Sequence, residues 1–526
     1  MEPSCVHHTL IPGSSRLFTD YLYNFDRVRG FYRWHFLSPD ALDRSAQAVD
    51  FPDKRREALV SALREQNNDP AALDKLGMPG TVAVVTGQQV GLFSGPAYTI
   101  FKALTAVKLA AQFSAQGIPA VPVFWLATED HDLAEVDHAW VFNEDASPEK
   151  VSLHGMVAAN GGPVGRLPLT DVPLTDLRQA LGTLPFAEEV VECIREHYHP
   201  GATLGSAFRS FLADTLRGFG LLYMDPLAPA IRELAAPFLR DAIGQIPELI
   251  PKLRQRNAEL ESSGYHAQVL VEEDAGLLFL LGEHKRTPIR FKNGRFATKD
   301  RTYTAREMQA LAAQLSPSAL LRPVMEDYLL PTASYVGGPA EIGYMAQAEV
   351  LYADLLRRMP VIFPRNSFTL LDARAEKLMG RYRLRLPEML DYHESVRQRM
   401  AGRLVPSKLR EELSSNRSAF AAELAKLKAD LAGFDPTLAR AAKTTTDKIL
   451  YQMEKLSGKV AREAMRRDER AERDSLYLMN LTYPHRHLQE RFYSIVPFLA
   501  KHGPDLPERL LAETQVACPD HMVRTV

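Results

Sequence analysis

The chain has 526 residues, 46% of them apolar, and its 63 lysines and arginines nearly balance 65 aspartates and glutamates, for a formal charge of -2. A chain of this length exceeds what one hydrophobic core usually supports, so we expect two or more domains. The near-neutral charge argues against nucleic acid or an anionic membrane as a partner and favours small molecules.

The three cysteines, Cys5, Cys193 and Cys518, are too few and too scattered in sequence to predict a disulfide framework or a cysteine-rich zinc site. The first residues lack the basic and apolar stretches of a signal peptide, and no run reaches the roughly 18 apolar residues of a membrane span. The sequence therefore predicts a soluble, cytoplasmic protein.

The first regular pattern is a strand, a helix and a second strand within residues 81–127. "TVAVV" at 81–85 is a β-branched run typical of a buried strand. Apolar residues at helical spacing begin at Ala97, and Pro96 suits a first helical turn. "GIPAVPVFWLA" at 117–127 returns to strand character. This order predicts a βαβ unit and hence a parallel sheet.

Two later segments, 220–225 and 360–367, resemble further strands of the same sheet. Polar residues follow all four predicted strands, at Thr86, 128–131, Asp225 and 365–367. Ligands of open α/β sheets bind just beyond the carboxyl ends of the strands, so we expect one shared crevice there. Solvated loops are the alternative explanation for each polar segment taken alone.

The segments between these strands predict inserted subdomains. Residues 170–215 have helical character, and 266–297 alternate like antiparallel hairpins that turn at 274–276 and 293–294. Beyond residue 371 apolar residues recur at spacings of four and three on both sides of Asp435-Pro436. This spacing predicts a coiled-coil hairpin that packs against a second copy of the chain, with an ordinary helix pair in a bundle as the alternative. The seam residues are Phe420, Leu424, Leu427, Leu431, Phe434, Ile449, Met453, Leu456 and Val460.

The predicted fold class is α/β, with a Rossmann-like parallel-sheet core, inserted connecting subdomains and a C-terminal α-helical coiled coil. The predicted divisions are the first part of the core (1–165), connecting insertions with one core strand (166–300), the second part of the core (301–371), the coiled coil (372–475) and a C-terminal segment that packs back on the core (476–526).

The stretch "TGQQVGLFSGPAY" at 86–98 is the first candidate binding segment. Its glycines permit positive φ and close backbone approach, and it leads into a helix N-terminus that favours an anion. A tight strand-to-helix turn is the alternative, and the dinucleotide fingerprint GxGxxG is absent. The candidate binding residues here are Thr86, Gln88, Gln89, Gly95, Tyr98 and Lys102.

"TEDHD" at 128–132 is the candidate for acid–base chemistry, because crowded carboxylates and an imidazole shift one another's pKa toward neutrality. We expect Asp130, His131 or Asp132 to act as the base, with Glu129 as a binding residue. A solvated acidic loop is the alternative. A metal held by His131 and Glu135 is conceivable, but this pattern is nonspecific and no metal is predicted.

"SYVGGPAEIGYMAQAE" at 334–349 repeats the Gly-Pro-Ala helix start of 95–97 at positions 338–340. Two helix N-termini are therefore expected to face one ligand. The candidate binding residues are Tyr335, Gly337, Gly338, Glu341, Tyr344 and Gln347, joined by Arg365 after the last predicted strand. For Tyr344, packing against other side chains is the alternative to ligand binding.

Four segments together resemble the bacillithiol-biosynthesis cysteine-adding enzyme family over nearly the whole chain: "VTGQQVGLFSGPAYTIFKALTAVKLA", "VPVFWLATEDHDLAEVDH", "LRPVMEDYLLPTASYVGGPAEIGYMAQ" and "YPHRHLQERFY". Ser94 stands where the family commonly has glycine. The resemblance implies a Rossmann-type core with connecting insertions and a dimerising coiled coil. It also implies that the enzyme joins the carboxyl of L-cysteine to the amine of glucosaminyl-malate, in the last step of bacillithiol synthesis.

Amide formation needs an activated carboxyl, so ATP is the expected co-substrate of this reaction, although no ATP-binding motif is present. Residues 86–98 occupy the place where related synthetases hold phosphates. Arg365, Lys102 and the helix start at Gly338 are the candidates for binding malate carboxylates. Two other functions stay open: a nucleotidyltransferase-like enzyme that activates another small acid, and a non-catalytic dimeric metabolite-binding scaffold.

Overall fold

The computed structural model describes residues 4–154, 161–282, 285–390 and 393–526. Its centre is a parallel five-stranded sheet. In chain order, core strands 1 to 5 are Val82–Gln88, Ala120–Leu126, Leu222–Met224, Thr332–Gly337 and Val361–Pro364. Their spatial order is 3-2-1-4-5, the Rossmann order, in which connections leave in opposite directions from strands 1 and 4. The crevice of such a sheet opens between those two strands.

Strands 1, 2, 3 and 5 coincide with the four strands predicted from the sequence. Strand 4, Thr332–Gly337, is not among the strands predicted from the sequence. All six of its residues are buried, so it lacks the alternation that marks a half-exposed strand. It lies beside strand 1 and thereby forms the second wall of the crevice.

The predicted strand 360–367 is split in the structure. Core strand 5 ends at Pro364, and Ser367–Leu371 belongs to a separate sheet with the C-terminal strand His521–Thr525. That C-terminal strand also pairs with Ser4–Val6. The two chain ends therefore meet, and the Sγ atoms of Cys5 and Cys518, 513 residues apart in sequence, lie 3.8 Å from each other.

Helices cover both faces of the sheet. Core strand 1 leads to Tyr98–Ala115, strand 3 to Pro229–Ser262 and strand 4 to Pro339–Leu355. The last two begin with proline, which suits a first helical turn because its missing N–H has no partner there. The N-terminal helices are Arg16–Tyr23, Ala41–Gln47, Asp53–Arg64 and Pro70–Gly77.

The insertion between strands 2 and 3 is mainly helical, in agreement with the sequence. It contains Leu133–Val136, Leu174–Leu181, Ala187–His197 and Leu204–Thr215, together with the hairpin His138–Phe142 and Pro148–Ser152.

The insertion before strand 4 is an antiparallel sheet. Its strands are Ala275–Leu281, Arg286–Lys292, Arg295–Ala297, Thr302–Tyr303 and Leu315–Pro317. The helix Ala305–Ala310 precedes the last of these strands, and the helix Arg322–Leu329 follows it. The turn predicted at 293–294 is present. The turn predicted at 274–276 is wrong, because Gly276 lies inside a strand. A Cβ there would collide with the carbonyl oxygen of Ile289, so this glycine serves close strand approach rather than a turn.

The C-terminal part is helical, with Ala373–Tyr382, Leu386–Met389, His393–Leu404, Ser407–Phe434, Pro436–Arg466, Glu469–Thr482, Gln489–Phe492, Val496–His502 and Leu506–Glu513. Ser407–Phe434 and Pro436–Arg466 form an antiparallel pair, here called the helical arm, and the side chain of Asp435 caps its second helix by accepting from Thr437 N at 2.6 Å. No helix in the described ranges combines the length and apolarity needed to cross a bilayer.

Candidate active site

A cavity of about 820 Å3 lies at the switch point between core strands 1 and 4. The ends of strands 1 and 2 and the starts of the helices at Tyr98 and Pro339 form its base. The antiparallel insertion covers it through Phe279 and Arg286, and the C-terminal segment contributes His487 and Arg491. We call it the switch-point cavity.

Eleven of the predicted site residues line this cavity: Gln88, Gln89, Tyr98, Lys102, Glu129, Asp130, His131, Gly338, Glu341, Tyr344 and Arg365. His131 follows strand 2 and Glu341 follows strand 4, so segments more than 200 residues apart in sequence reach one space. The carboxyl ends of neighbouring parallel strands produce this convergence.

The other predicted residues lie outside the cavity lining: Thr86, Gly95, Asp132, Tyr335, Gly337 and Gln347. Three of them, Thr86, Tyr335 and Gln347, are fully buried supports. Thr86 Oγ1 donates to the carbonyl oxygen of Val336 at 2.8 Å, and so ties strand 1 to strand 4. Gln347 accepts from Val269 N at 2.8 Å. Gly95 and Gly337 line smaller neighbouring cavities, while Asp132 is exposed.

A buried ion pair joins the two sides of the crevice. Lys102 Nζ lies 2.5 Å from Glu341 Oε2 and donates to the carbonyl oxygen of Gly87 at 2.9 Å. Glu341 also accepts from Tyr335 Oη at 2.6 Å and from Gly338 N at 2.7 Å. Burial opposes ionisation of Glu341, but Lys102 and these donors hold its pKa below the usual value; burial lowers the pKa of Lys102. The pair fixes the crevice width, since its members belong to opposite walls.

The guanidinium of Arg365 is paired with a carboxylate of the protein itself. Its guanidinium binds Glu490 at 3.0 and 2.6 Å, and both side chains are buried. Burial disfavours the Glu490 charge, yet Arg365 and the other donors around it lower the pKa of Glu490 to about 2. Arg365 therefore anchors the C-terminal segment to strand 5. This bidentate pairing leaves its guanidinium poorly placed to bind a substrate carboxylate.

The loop after strand 1 is tightly packed. Phe93, Ser94 and Gly95 all have positive φ, and Phe93 and Ser94 are fully buried. The N–H of Gly95 donates to Leu92 O at 2.9 Å and that of Ala97 to Tyr493 O at 2.7 Å. The amides of Gly95 and Ala97 are therefore engaged within the protein and are not free to bind a phosphate. The φ of 73° at Ser94 explains why glycine suits this position.

His131 is the member of the acid–base cluster that is both exposed and part of the cavity lining. Its side chain is 44% exposed, and its Nδ1 lies 3.5 Å from Asp130 Oδ1 and 3.3 Å from Arg286 Nη1. Asp130 Oδ2 accepts from Gln89 at 2.7 Å, and Oδ1 accepts from the His131 N–H at 2.7 Å. Burial raises the pKa of Asp130, but these donors together lower it below its usual value. Asp130 is thus a charged, fixed neighbour of the imidazole.

Glu129 faces an arginine from the helix after strand 3. It pairs with Arg232, and both side chains are buried. Burial raises the pKa of Glu129 although Arg232 opposes that shift. This pair holds the segment after strand 2 against the helix Pro229–Ser262.

Sequence reasoning missed the arginines that supply positive charge to the cavity. Arg322 donates to Glu326 and to Tyr344 Oη, each at 2.7 Å, and Arg286 donates to Pro317 O at 2.8 Å. The Arg491 guanidinium forms no hydrogen bond or ion pair with any residue of the described ranges, and it lines the cavity. In the sequence, Arg491 is indicated only by its place in "YPHRHLQERFY", one of the four segments that resemble the family.

The chain was compared with protein-family models. Residues 1–366 match the N-terminal Rossmann-like domain of the bacillithiol biosynthesis protein BshC, and residues 368–526 match its C-terminal coiled-coil domain. The chain belongs to the BshC family. The Rossmann-like core and the C-terminal coiled-coil domain predicted from the sequence are confirmed by these matches and by the sheet order.

Relatives that extend over the whole chain bear the name "Putative cysteine ligase BshC". The protein of Solibacter usitatus is 48% identical over 100% of both chains. That of Koribacter versatilis is 34% identical over 99% of each, and that of Salinibacter ruber is 32% identical over 94% of this chain and 93% of its own. The switch-point cavity is therefore the candidate active site of a BshC-family chain whose relatives are named as ligases.

Proposed function

We propose that the protein is a ligase that forms an amide between the carboxyl of L-cysteine and the amine of glucosaminyl-malate, completing bacillithiol. One observation carries this proposal: the switch-point cavity of a BshC-family chain brings an accessible imidazole, His131, together with an unpaired guanidinium, Arg491. An amine that attacks a carboxyl needs a proton acceptor, and a dicarboxylate needs a cation.

His131 is the proposed base. Asp130 has both carboxylate oxygens engaged, and Asp132 lies outside the cavity lining. The amine nitrogen attacks the activated cysteine carboxyl carbon, a C–N bond forms, the activating group leaves, and the amine proton passes to the His131 imidazole. Asp130, with Oδ1 3.5 Å from His131 Nδ1, orients the ring.

Arg491 is the proposed anchor for the malate carboxylates. It replaces Arg365 in that role, because Arg365 is held by Glu490. Arg322 and Arg286 add positive charge on the other walls of the cavity while keeping their protein partners. Lys102 keeps its contact with Glu341 and positions the two helix starts.

ATP is the proposed co-substrate, since amide formation in water requires an activated carboxyl. Because the amides of Gly95 and Ala97 are engaged within the protein, no step is assigned to them. Release of pyrophosphate would identify an adenylate, and release of phosphate an acyl phosphate.

The helical arm is the proposed dimer contact of a cytoplasmic enzyme. Phe420 is 52% exposed, Leu427 51%, Phe434 83% and Leu456 52%. Apolar side chains at coiled-coil spacing with this exposure are suited to a second copy of the same arm. Three free cysteines are consistent with a reducing compartment.

The direct test incubates the purified chain with L-cysteine, glucosaminyl-malate and ATP and detects the product by mass spectrometry. The proposal predicts bacillithiol formation that requires all three substrates. In a strain without the gene, it predicts accumulated glucosaminyl-malate. Normal bacillithiol in that strain would instead support a non-catalytic scaffold, and nucleotide release with a different acid would support another activating enzyme.

A further inference from the structure

A second group of polar side chains lies away from the switch-point cavity, in the helical insertion between core strands 2 and 3. Cys193 and His197 stand four residues apart on the helix Ala187–His197, so they share one face. Asp214 comes from the neighbouring helix Leu204–Thr215. One ligand atom from each of the three lies within 4.8 Å of the other two.

Two of the three ligand-to-ligand distances match those of a tetrahedral metal site. Asp214 Oδ2 lies 3.4 Å from Cys193 Sγ and 3.3 Å from His197 Nε2. Zinc bonds of about 2.3 Å to sulfur and about 2.0 Å to nitrogen and oxygen, at tetrahedral angles, place sulfur and oxygen about 3.5 Å apart and nitrogen and oxygen about 3.3 Å apart. The third pair, Cys193 Sγ and His197 Nε2, lies within 4.8 Å, against about 3.5 Å in such a site.

The surrounding hydrogen bonds are those that orient metal ligands. His197 Nδ1 lies 2.7 Å from Ser210 Oγ, so a proton on Nδ1 would be donated to Ser210 and leave the Nε2 lone pair for a metal. Asp214 Oδ1 pairs with Arg217, which leaves Oδ2 to face Cys193 and His197. His197 and Asp214 are thus oriented by Ser210 and Arg217, which belong to the same insertion.

A cavity adjoins two of the three ligands. His197 and Asp214 line a cavity of about 590 Å3 that shares no lining residue with the switch-point cavity. Two other lining residues, Gln66 and Tyr223, carry buried polar atoms, Nε2 and Oη, that have no hydrogen-bond partner in the described part of the chain. Tyr223 is only 4% exposed. These two atoms have almost no accessible surface, so the room for a further ligand of a bound metal is the space beside His197 and Asp214.

We propose that Cys193, His197 and Asp214 bind a divalent zinc-class metal ion, with a fourth coordination position open to the adjoining cavity. A thiolate, an imidazole and a carboxylate are the ligand types that zinc accepts in proteins. Three protein ligands and one open position distinguish this arrangement from a closed structural site with four protein ligands.

The test uses the full chain, stripped of metal with a chelator and titrated with Zn2+ and with Co2+. We expect about one ion per chain and a thiolate-to-cobalt charge-transfer absorption band, which reports a cysteine ligand directly. Cys193→Ser removes the band, and Asp214→Asn lowers the affinity about 10-fold or more. Zn2+ raises the melting temperature of the wild type and leaves that of Cys193→Ser unchanged.

The matched control is the double variant Cys5→Ser, Cys518→Ser, which keeps Cys193 as the sole thiol and is expected to retain the band. Circular dichroism verifies that each variant is folded; if Cys193→Ser does not fold, Cys193→Ala and His197→Gln take its place. An unaltered band in a folded Cys193 variant, a band lost in the double variant, or no bound metal in the wild type would overturn the proposal.

Discussion

The switch-point cavity and the helical arm differ in the burial of their charged and apolar side chains. In and around the cavity, charged side chains are buried in pairs, as in Lys102–Glu341 and Arg365–Glu490. In the arm, ion pairs such as Glu463–Arg466 are exposed, and large apolar side chains such as Phe434 face water.

The difference shows which region tolerates change. Breaking a buried pair leaves an uncompensated charge in a medium that cannot solvate it, whereas an exposed pair is solvated by water whether or not its partner is present. The cavity is therefore expected to lose stability or activity on a single substitution, and the arm to lose only its contact with a partner.

The largest expected effect is on catalysis. His131→Ala should reduce kcat by about 10²- to 10⁴-fold, because the proposed proton acceptor is removed. Product formation by mass spectrometry gives the rate. The matched control is Asp132→Asn, an exposed neighbour outside the cavity lining, for which we expect near-normal turnover. Equal losses in the two variants would contradict the assignment of the base.

Glu490→Gln is expected to destabilise the chain by about 3–5 kcal/mol, because Arg365 would remain buried without its counter-charge. Thermal unfolding of the full chain measures this loss. Glu463→Gln, which breaks an exposed pair in the arm, should leave the melting temperature of the core unchanged. If the core melts at the same temperature in Glu490→Gln as in Glu463→Gln, the expected difference between buried and exposed pairs is contradicted.

The same pair predicts a pH dependence. The pKa of Glu490 is lowered to about 2 in the fold from an ordinary value of 4.5, so its stabilisation is complete above about pH 4.5 and is lost as the pH falls toward 2. The difference in melting temperature between wild type and Glu490→Gln should shrink over that range. A constant difference would show that the carboxylate charge is not responsible.

Arg491→Ala should raise the KM for glucosaminyl-malate by about 10- to 100-fold, as expected for the loss of a charge-assisted hydrogen bond. Steady-state kinetics with varied amino sugar and saturating cysteine measure this change. Arg440→Ala, on the exposed surface of the arm, is the charge-matched control. An unchanged KM in Arg491→Ala would exclude this arginine as the carboxylate anchor.

The smallest effect on turnover is expected from the arm. The double variant Leu427→Asp, Leu456→Asp should convert a dimer to a monomer in sedimentation experiments, since two half-exposed seam residues become charged. Turnover per chain should change less than about 2-fold, because the residues that line the cavity all lie outside the arm. A wild-type monomer would contradict the dimer proposal.

The sequence predicted the elements whose local pattern is strong. Core strand 1 and the helix that begins at Tyr98 combine a β-branched run with a clear change of period. Core strand 4 was missed, because a strand buried on both faces lacks alternation. The turn at 274–276 was misplaced, because glycine marks close strand approach as readily as a turn.

For the candidate site, the sequence predicted the segments that line the cavity better than it predicted the role of each residue. Polar residues after parallel strands reach one cavity, as topology requires. The partners could not be predicted, because Arg365–Glu490 and Lys102–Glu341 join residues 125 and 239 positions apart. Arg491 was overlooked for the same reason: only the fold brings the C-terminal segment to the switch point.

The central claim is that the switch-point cavity binds the amino sugar. Its most direct test is the electron density of crystals soaked with glucosaminyl-malate. We expect ligand in that cavity, with a malate carboxylate on Arg491 and the amine within hydrogen-bonding distance of His131. Density for the ligand elsewhere, for instance in the cavity beside Cys193, with the switch-point cavity holding only solvent, would contradict it.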